Sequence, residues 1–299
     1  LCDGHQAGVE LSAPQKLRAA VIGVGAMGRH HARVYTDIDE TMLVGVADAE
    51  AETAEAVGRR YNVPWFTDHR ELLVETRPDL VSLAVPTKLH LRVGLDVLAA
   101  GVHLLVEKPI AATLEEGRLL MVAAGDSGRV LTVGHVERFN PAVRELRRRL
   151  DVGELGRVFS VQARRMGPFP ARIRDVGVVV DLATHDLDVM RWLVGAPVTR
   201  VYAETARRIH TEHEDMLSGL LRFESGEVGV LLVNWLTPTK IRELALTGER
   251  GMFVVDYLHQ DPYFYENVGA DSYWEDYGVL QNVEEGAMTR MRIDHQEPL

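Results

Sequence analysis

The 299-residue sequence predicts an α/β chain in two parts: a doubly wound parallel sheet, then an α+β domain whose open sheet is mainly antiparallel. Three observations carry this. From residue 17 to about 135, apolar strand-like runs alternate with helical stretches, the grammar of a parallel sheet covered on both faces. After residue 136, strand-like runs follow one another through short glycine-containing turns, ESGE at 224–227 and TGERG at 247–251, as hairpin-linked strands do. The first apolar run also ends in G-x-G-x-x-G where a strand gives way to a helix.

In order, LRAAVIGV is a buried strand, with no charge between Arg18 and Gly23, and a helix runs from there through Tyr35. MLVGVAD (42–48) is the second strand, AETAEAVGRRYN a helix, VPWFT (63–67) a short strand and HRELLVET a helix. LVSLAVP (80–86) is a nearly continuous apolar strand stopped by Pro86. The helix HLRVGLDVLAAG, the strand HLLVEKP, the helix TLEEGRLLMVAAGDSG and the strand RVLTVGH complete a domain over 17–135. Right-handed crossovers make it a Rossmann domain, with ligands expected at the carboxyl ends of its strands.

The second domain, 136–299, opens with the helix FNPAVRELRRRL, Pro141 near its start. GRVFSVQARRMG alternates like a strand, and a helix spans about Val179 to Leu193. TRVYAETARR, DMLSGLLRFE, GEVGVLLVNWL, KIRELALTG and GMFVVDYL are then strands. Val230, Leu232, Trp235 and Leu236 mark an apolar surface that needs cover, from a helix or from a second copy in a dimer or tetramer. Residues 1–16 are expected to be a disordered extension: LCDGHQAGVELSAPQ has neither the basic nor the apolar region of a signal peptide.

A formal net charge of −11 and the lack of a long basic block argue against nucleic acid and anionic membrane as partners. RELRRRL at 144–150 carries four arginines, but Val143, Leu146 and Leu150 at helical spacing make it a solvated helix face. Cys2 is the single cysteine, so a disulfide framework and a cysteine metal cluster are both excluded, and a reducing, cytoplasmic setting fits. No apolar segment approaches the length of a membrane span.

The glycines have separate tasks. Gly23 permits the tight turn, Gly25 lets a pyrophosphate approach the backbone across Ala26 and Met27, and Gly28 allows helix to pack on strand. The helix N-terminus then faces the phosphates with its unpaired N–H groups. Asp48 ends the second strand about 20 residues beyond Gly28. A carboxylate there accepts from a ribose 2′-hydroxyl and repels a 2′-phosphate, so NAD is favoured over NADP. His30 and His31 read as ordinary residues of the first helix, and Arg59 and Arg60 as a solvated face.

Three places carry further chemistry. Glu107-Lys108-Pro109 follows HLLV at the carboxyl edge of the sheet. Beside a nicotinamide, Lys108 would hydrogen-bond a substrate hydroxyl and stabilise the alkoxide as hydride leaves; a surface lysine before a loop proline fits the placement equally. In VVVDLATHDLDVMRWL, Asp181 and His185 stand four residues apart on one helix face, with Asp188 a turn on. The pair would serve as substrate holder and general base, or as a histidine ion-paired on a helix surface; spacing offers no third ligand for a metal. Pro86, Thr87 and His90 of VPTKLH begin a helix over the cofactor crevice, as nicotinamide-ribose contacts or as a cap.

With GVGAMG, VAD, AVPTKLH, GVHLLVEKP, VGHVERFNP and the D-x-x-x-H of DLATHD in this order, the chain resembles the Gfo/Idh/MocA oxidoreductases from about Leu17 to its end. The resemblance implies oxidation or epimerisation of sugars and polyols through NAD(P). It implies Lys108 and His185 as the catalytic pair, with Asp181 orienting substrate and the choice of base left open. Glu107 joins Gly23, Gly25, Ala26, Met27, Gly28, Asp48, Pro86, Thr87 and His90 as an implied cofactor residue, and Arg138 and Asn140 of VGHVERFNP fall to the substrate. RRMGPFPARIRDVGVVVDLATHD is similar to the branch that dehydrogenates UDP-N-acetylglucosamine at carbon 3. Arg164, Arg165, Arg172 and Arg174 there would meet a pyrophosphate, or pair with the chain's excess acids. Other members eliminate glycosidic bonds with no net redox change, and a non-catalytic NAD or sugar sensor is a third reading. The sequence stops at HQEPL, where similar chains continue, so the second domain is expected to be truncated.

Overall fold

The first strand, β1 (Leu17–Ile22), is covered on both sides. Ala19 and Val21 point into one apolar cluster with Ala32, Tyr35 and Val57, while Ala20 and Ile22 point into another with Leu72, Val93 and Leu120. A strand buried on two faces cannot alternate polar with apolar residues, which is why it reads as a continuous run. In a computed structural model, which describes residues 15–170, 176–210, 212–267 and 286–299, the chain divides after Gly134 into two units. Arg172, Arg174 and the expected extension, apart from its last two residues, lie outside the described residues.

In the first unit, β1 is joined by β2 (Thr41–Ala47), β3 (Trp65–Phe66), β4 (Leu80–Leu83), β5 (His103–Val106) and β6 (Leu131–Val133). The strand order is β3-β2-β1-β4-β5-β6, with every neighbour parallel. Helices α1 (Gly28–Asp37) and α2 (Ala51–Tyr61) cover one face; α3 (His69–Thr76), α4 (His90–Ala99) and α5 (Leu114–Ser127) cover the other. The winding reverses between β1 and β4, and a doubly wound sheet opens its ligand crevice there. LVSLAVP leaves the sheet at Leu83, three residues earlier than its apolar run, and a 3₁₀ turn over Thr87–Leu89 leads into α4.

The second unit contains α6 (Pro141–Asp151), β7 (Val158–Met166), a π-helical turn (Val179–Ala183) that runs into α7 (Thr184–Val194), and the strands β8 (Val198–Ala206), β9 (Met216–Phe223), β10 (Val228–Asn234), β11 (Ile241–Gly248), β12 (Gly251–Asp256), β13 (Asp261–Glu266) and β14 (Met288–Arg290). The sheet order is β14-β13-β12-β11-β7-β10-β9-β8; β7 runs parallel to β10 and every other pair is antiparallel. The strands β13 and β14 are additions to the sequence reading. Asp261-Pro262 looks like a chain breaker, yet Pro262 pairs with Val255, and the short β14 exists through its pairing with β13.

Val161, Ala163, Leu231, Val233, Leu244, Leu246, Phe253 and Val255 form the inner face of this sheet and pack on α6 and α7 through Val143, Leu146, Val189, Met190 and Leu193. Trp235, one of the apolar residues expected to need cover, has it from this core, with 3% of its area exposed. The outer face is apolar all the same. Tyr202 lies opposite Leu220 and Leu220 opposite Val230, while Val228, Leu232, Tyr265 and Met288 are exposed. Among the described residues no helix is long and apolar enough to cross a membrane.

Candidate cofactor and catalytic sites

The glycine loop is fixed by contacts that admit no side chain. Gly23 has φ +84°, and a Cβ there would lie 2.7 Å from the backbone of Ala84 and Val85; at Gly28 it would lie 1.8 Å from the Gly23 carbonyl oxygen. At Gly25 nothing lies within 4 Å, so this position faces open space beside the exposed Ala26 and Met27. Asp48 closes the other side: its carboxylate accepts from the backbone N–H of Val24 at 2.8 Å and of Glu50 at 3.0 Å. A half-exposed carboxylate pinned against the loop by two amides, next to a glycine with room above it, fits a dinucleotide with its ribose on Asp48 and its pyrophosphate over Gly25.

Lys108 leaves the carboxyl end of β5 on a turn with a cis bond to Pro109. Two buried histidines meet this turn. His90 has Nδ1 2.9 Å from the Pro109 carbonyl oxygen and Nε2 2.9 Å from that of Val85, bracing the turn against the end of β4. His31 has Nε2 2.8 Å from Glu107 Oε1, while Glu107 Oε2 accepts the Lys108 backbone N–H at 3.1 Å. His90 and Glu107 thus support the Lys108 turn: both are buried, with both side-chain polar atoms engaged inside the unit. Pro86 is exposed and Thr87 half-buried; neither the 3₁₀ turn nor α4 has a side-chain cap, so the capping alternative for Thr87 is not realised.

In the second unit, Asp181 lies in the π-helical turn and His185 in the first turn of α7, both half-buried. The helix that carries them is anchored at its start by Glu214, whose carboxylate accepts from the Val179 N–H at 3.1 Å in space left by Gly177. Asp215, beside it, is fully buried and accepts from the N–H groups of Arg208, Ile209 and His210. Burial opposes its charge, but these amides prevail and hold the carboxyl below its usual value.

Next to His185, Asp186 is buried in a bidentate pair with Arg165, at 2.7 and 3.1 Å, and Arg165 reaches Glu137 at 2.9 Å. Burial disfavours the Arg165 charge, yet Asp186 and Glu137 outweigh it and raise its affinity for the proton. The guanidinium also lies 5.4 Å above the Tyr257 ring. Arg165, expected to meet a pyrophosphate or to pair with acids, thus takes the second course and ties β7 to α7. Asn140 is also buried, and its side chain caps α6 by accepting from the Ala142 N–H at 3.1 Å. Arg138 pairs with Asp188 at 2.6 Å, and the part-exposed Arg164 with Glu243 at 3.1 Å. Among the described residues no three His, Cys, Asp or Glu side chains gather as a metal site.

Sequence reasoning passes over Ser82, Glu214 and Asp215, and takes His31 for an ordinary helix residue. Ser82 alone gave a signal, as a hydroxyl inside an otherwise apolar buried strand.

A family model described as "Oxidoreductase family, NAD-binding Rossmann fold" matches residues 17–135, and one described as "GFO/IDH/MocA C-terminal domain" matches 143–254. The chain is 33% identical over 249 residues to the UDP-N-acetylglucosamine 3-dehydrogenase of Acidithiobacillus ferrooxidans, covering 83% of this chain and 77% of that protein. A crystal structure of that dehydrogenase aligns with TM-score 0.83 over 95% of this chain and 85% of its own, at 29% identity. The scyllo-inositol 2-dehydrogenase (NAD(+)) of Bacillus subtilis is 29% identical, covering 82% and 75%. The WlbA dehydrogenase from Bordetella pertussis, solved in complex with NADH and UDP-GlcNAcA, aligns with TM-score 0.76 at 29% identity over 81% and 74%.

Proposed function

Because the chain belongs to the Gfo/Idh/MocA family of NAD-binding sugar dehydrogenases, we propose that it oxidises a secondary hydroxyl of a UDP-N-acetylhexosamine. The observation that carries the substrate class is the similarity, over most of the chain, to two proteins whose names or bound ligands are UDP-N-acetylglucosamine or a derivative of it.

NAD, when bound, supplies the acceptor for the hydride that leaves the carbinol carbon. Gly23, Gly25, Ala26, Met27, Gly28 and Asp48 hold it, with Pro86 and Thr87 at its nicotinamide end. The hydroxyl proton passes to Lys108 Nζ or to an imidazole nitrogen of His185, leaving a ketone on the sugar ring. Asp181 orients the substrate, and Arg138 and Arg164 supply positive charge toward the nucleotide phosphates. Outer-face residues Tyr202, Leu220, Val228 and Leu232 associate with a second copy of the chain, which gives the apolar sheet its cover.

The test is a panel of UDP-N-acetylglucosamine, its uronic acid, scyllo- and myo-inositol and methyl glucosides, each with NAD. The reading expects the nucleotide sugars to exceed the others in kcat/KM by about 100-fold, the scale on which lost phosphate contacts act. Equal or better turnover of an inositol moves the chain to the polyol branch.

A further inference from the structure

We propose that His31, on the helix that follows the glycine loop, is a positioning residue for Lys108 and acts through the carboxylate of Glu107. The proposal rests on the dehydrogenase reading for the role of Lys108 and adds to it a residue that contacts neither substrate nor cofactor.

The geometry is a buried chain of polar groups. His31 and Tyr35 lie one turn apart on the covered side of α1. Ser82, wholly buried in β4, lies between them, its Oγ 2.7 Å from Tyr35 Oη and 3.2 Å from His31 Nδ1. His31 Nε2 reaches Glu107 Oε1 at 2.8 Å, across 76 positions of sequence, and Glu107 Oε2 takes the Lys108 N–H.

Donor and acceptor inventory sets one end of this chain. A carboxylate only accepts, so His31 Nε2 carries a hydrogen toward Glu107. With Tyr35 donating to Ser82 and Ser82 to His31 Nδ1, every hydrogen of the chain meets an acceptor. Burial of Tyr35 raises its phenol, which keeps that first hydrogen in place. Four buried polar groups carry a desolvation cost that apolar side chains at these four positions would avoid, so packing alone does not account for the network. Its outlet is Glu107, and the space for that carboxylate depends on Gly134, where a Cβ would lie 3.1 Å from Oε1. Without the Nε2 hydrogen, Glu107 loses the partner that sets its rotamer, and the turn that launches the Lys108 side chain loses its anchor.

The test compares His31→Leu, which removes the donor, with His31→Gln, whose amide N–H reaches as far as Nε2. In His31→Leu, kcat for the sugar is expected to fall by about tenfold or more while the KM for NAD stays within about twofold, and His31→Gln to recover most of the loss. A second readout needs no substrate: the rate at which an amine-directed acylating reagent modifies Lys108, by peptide mass spectrometry, relative to Lys240. That ratio is expected to change by about threefold in His31→Leu and to return in His31→Gln, the scale of one hydrogen bond. A folded His31→Leu enzyme with unchanged kcat and ratio overturns the proposal, as does equal loss in both variants. Should His31→Leu not fold, Ser82→Ala is read in the same assays, and unchanged values there overturn it. If the unaltered enzyme oxidises none of the sugars, the dehydrogenase reading falls while the acylation ratio still decides the role of His31.

Discussion

In the first unit, the turn that carries Lys108 is held by a hydrogen-bonded chain of Tyr35, Ser82 and His31 ending on Glu107, whereas in the second the helix that carries His185 is held by an ion-pair cluster, Arg165 between Asp186 and Glu137. Both are buried and both join residues far apart in sequence. They differ in what a single loss leaves behind. Removing one hydroxyl from the hydrogen-bonded chain leaves one hydroxyl short of a partner; removing the cation from a buried cluster strands two carboxylates. The same chain therefore fixes one of these segments gently and the other at high stakes.

The largest expected effect lies in the glycine loop, which either arrangement presupposes. Gly28→Ala sets a Cβ 1.8 Å from the Gly23 oxygen and is expected to lower NAD affinity by about 100-fold or more, seen in calorimetric titration, with a loss of thermal stability. Gly25→Ala, with nothing within 4 Å, is expected to keep the melting temperature while weakening NAD binding. Arg165→Met comes next, at about 3–5 kcal/mol in a urea melt of the second unit. Tyr35→Phe should cost about 0.5–1.5 kcal/mol. Equal costs for these two would break the contrast between hydroxyl-linked and ion-paired anchoring.

A smaller effect depends on pH. Asp215 is held below its usual value in the folded chain, so its contribution to stability is complete above the unfolded carboxylate value near 4 and is lost as pH falls through the folded value. Asp215→Asn is expected to cost about 1–3 kcal/mol at neutral pH, with its deficit against the parent shrinking toward pH 3. A deficit constant across that range would contradict the assignment.

Sequence reading works where the cause is local. The spacing of Gly23, Gly25 and Gly28, the two-sided apolar runs of the parallel strands and the glycine-bearing hairpin turns are each written within a few residues. For Arg165 the sequence leaves ligand and ion pair open, because it shows the charge and not Asp186, which meets it only through the packing of α7 on β7. His31 looked like an ordinary helix residue because its partners are at 82 and 107. Trp235 keeps the alternation of β10, two positions beyond Val233 on the inner face, and the chain turns just after it, where the Asn234 side chain accepts from the Leu236 N–H at 2.9 Å. The strand β13 was hidden by its proline.

The most direct test of the account mixes enzyme and NAD in stoichiometric amounts and follows NADH absorbance as UDP-N-acetylglucosamine is added, so that neither an unfavourable equilibrium nor retained NADH hides the reaction. The account predicts a rise approaching one NADH per active site, abolished in Lys108→Ala. No rise, with NAD binding shown separately by titration, would contradict it.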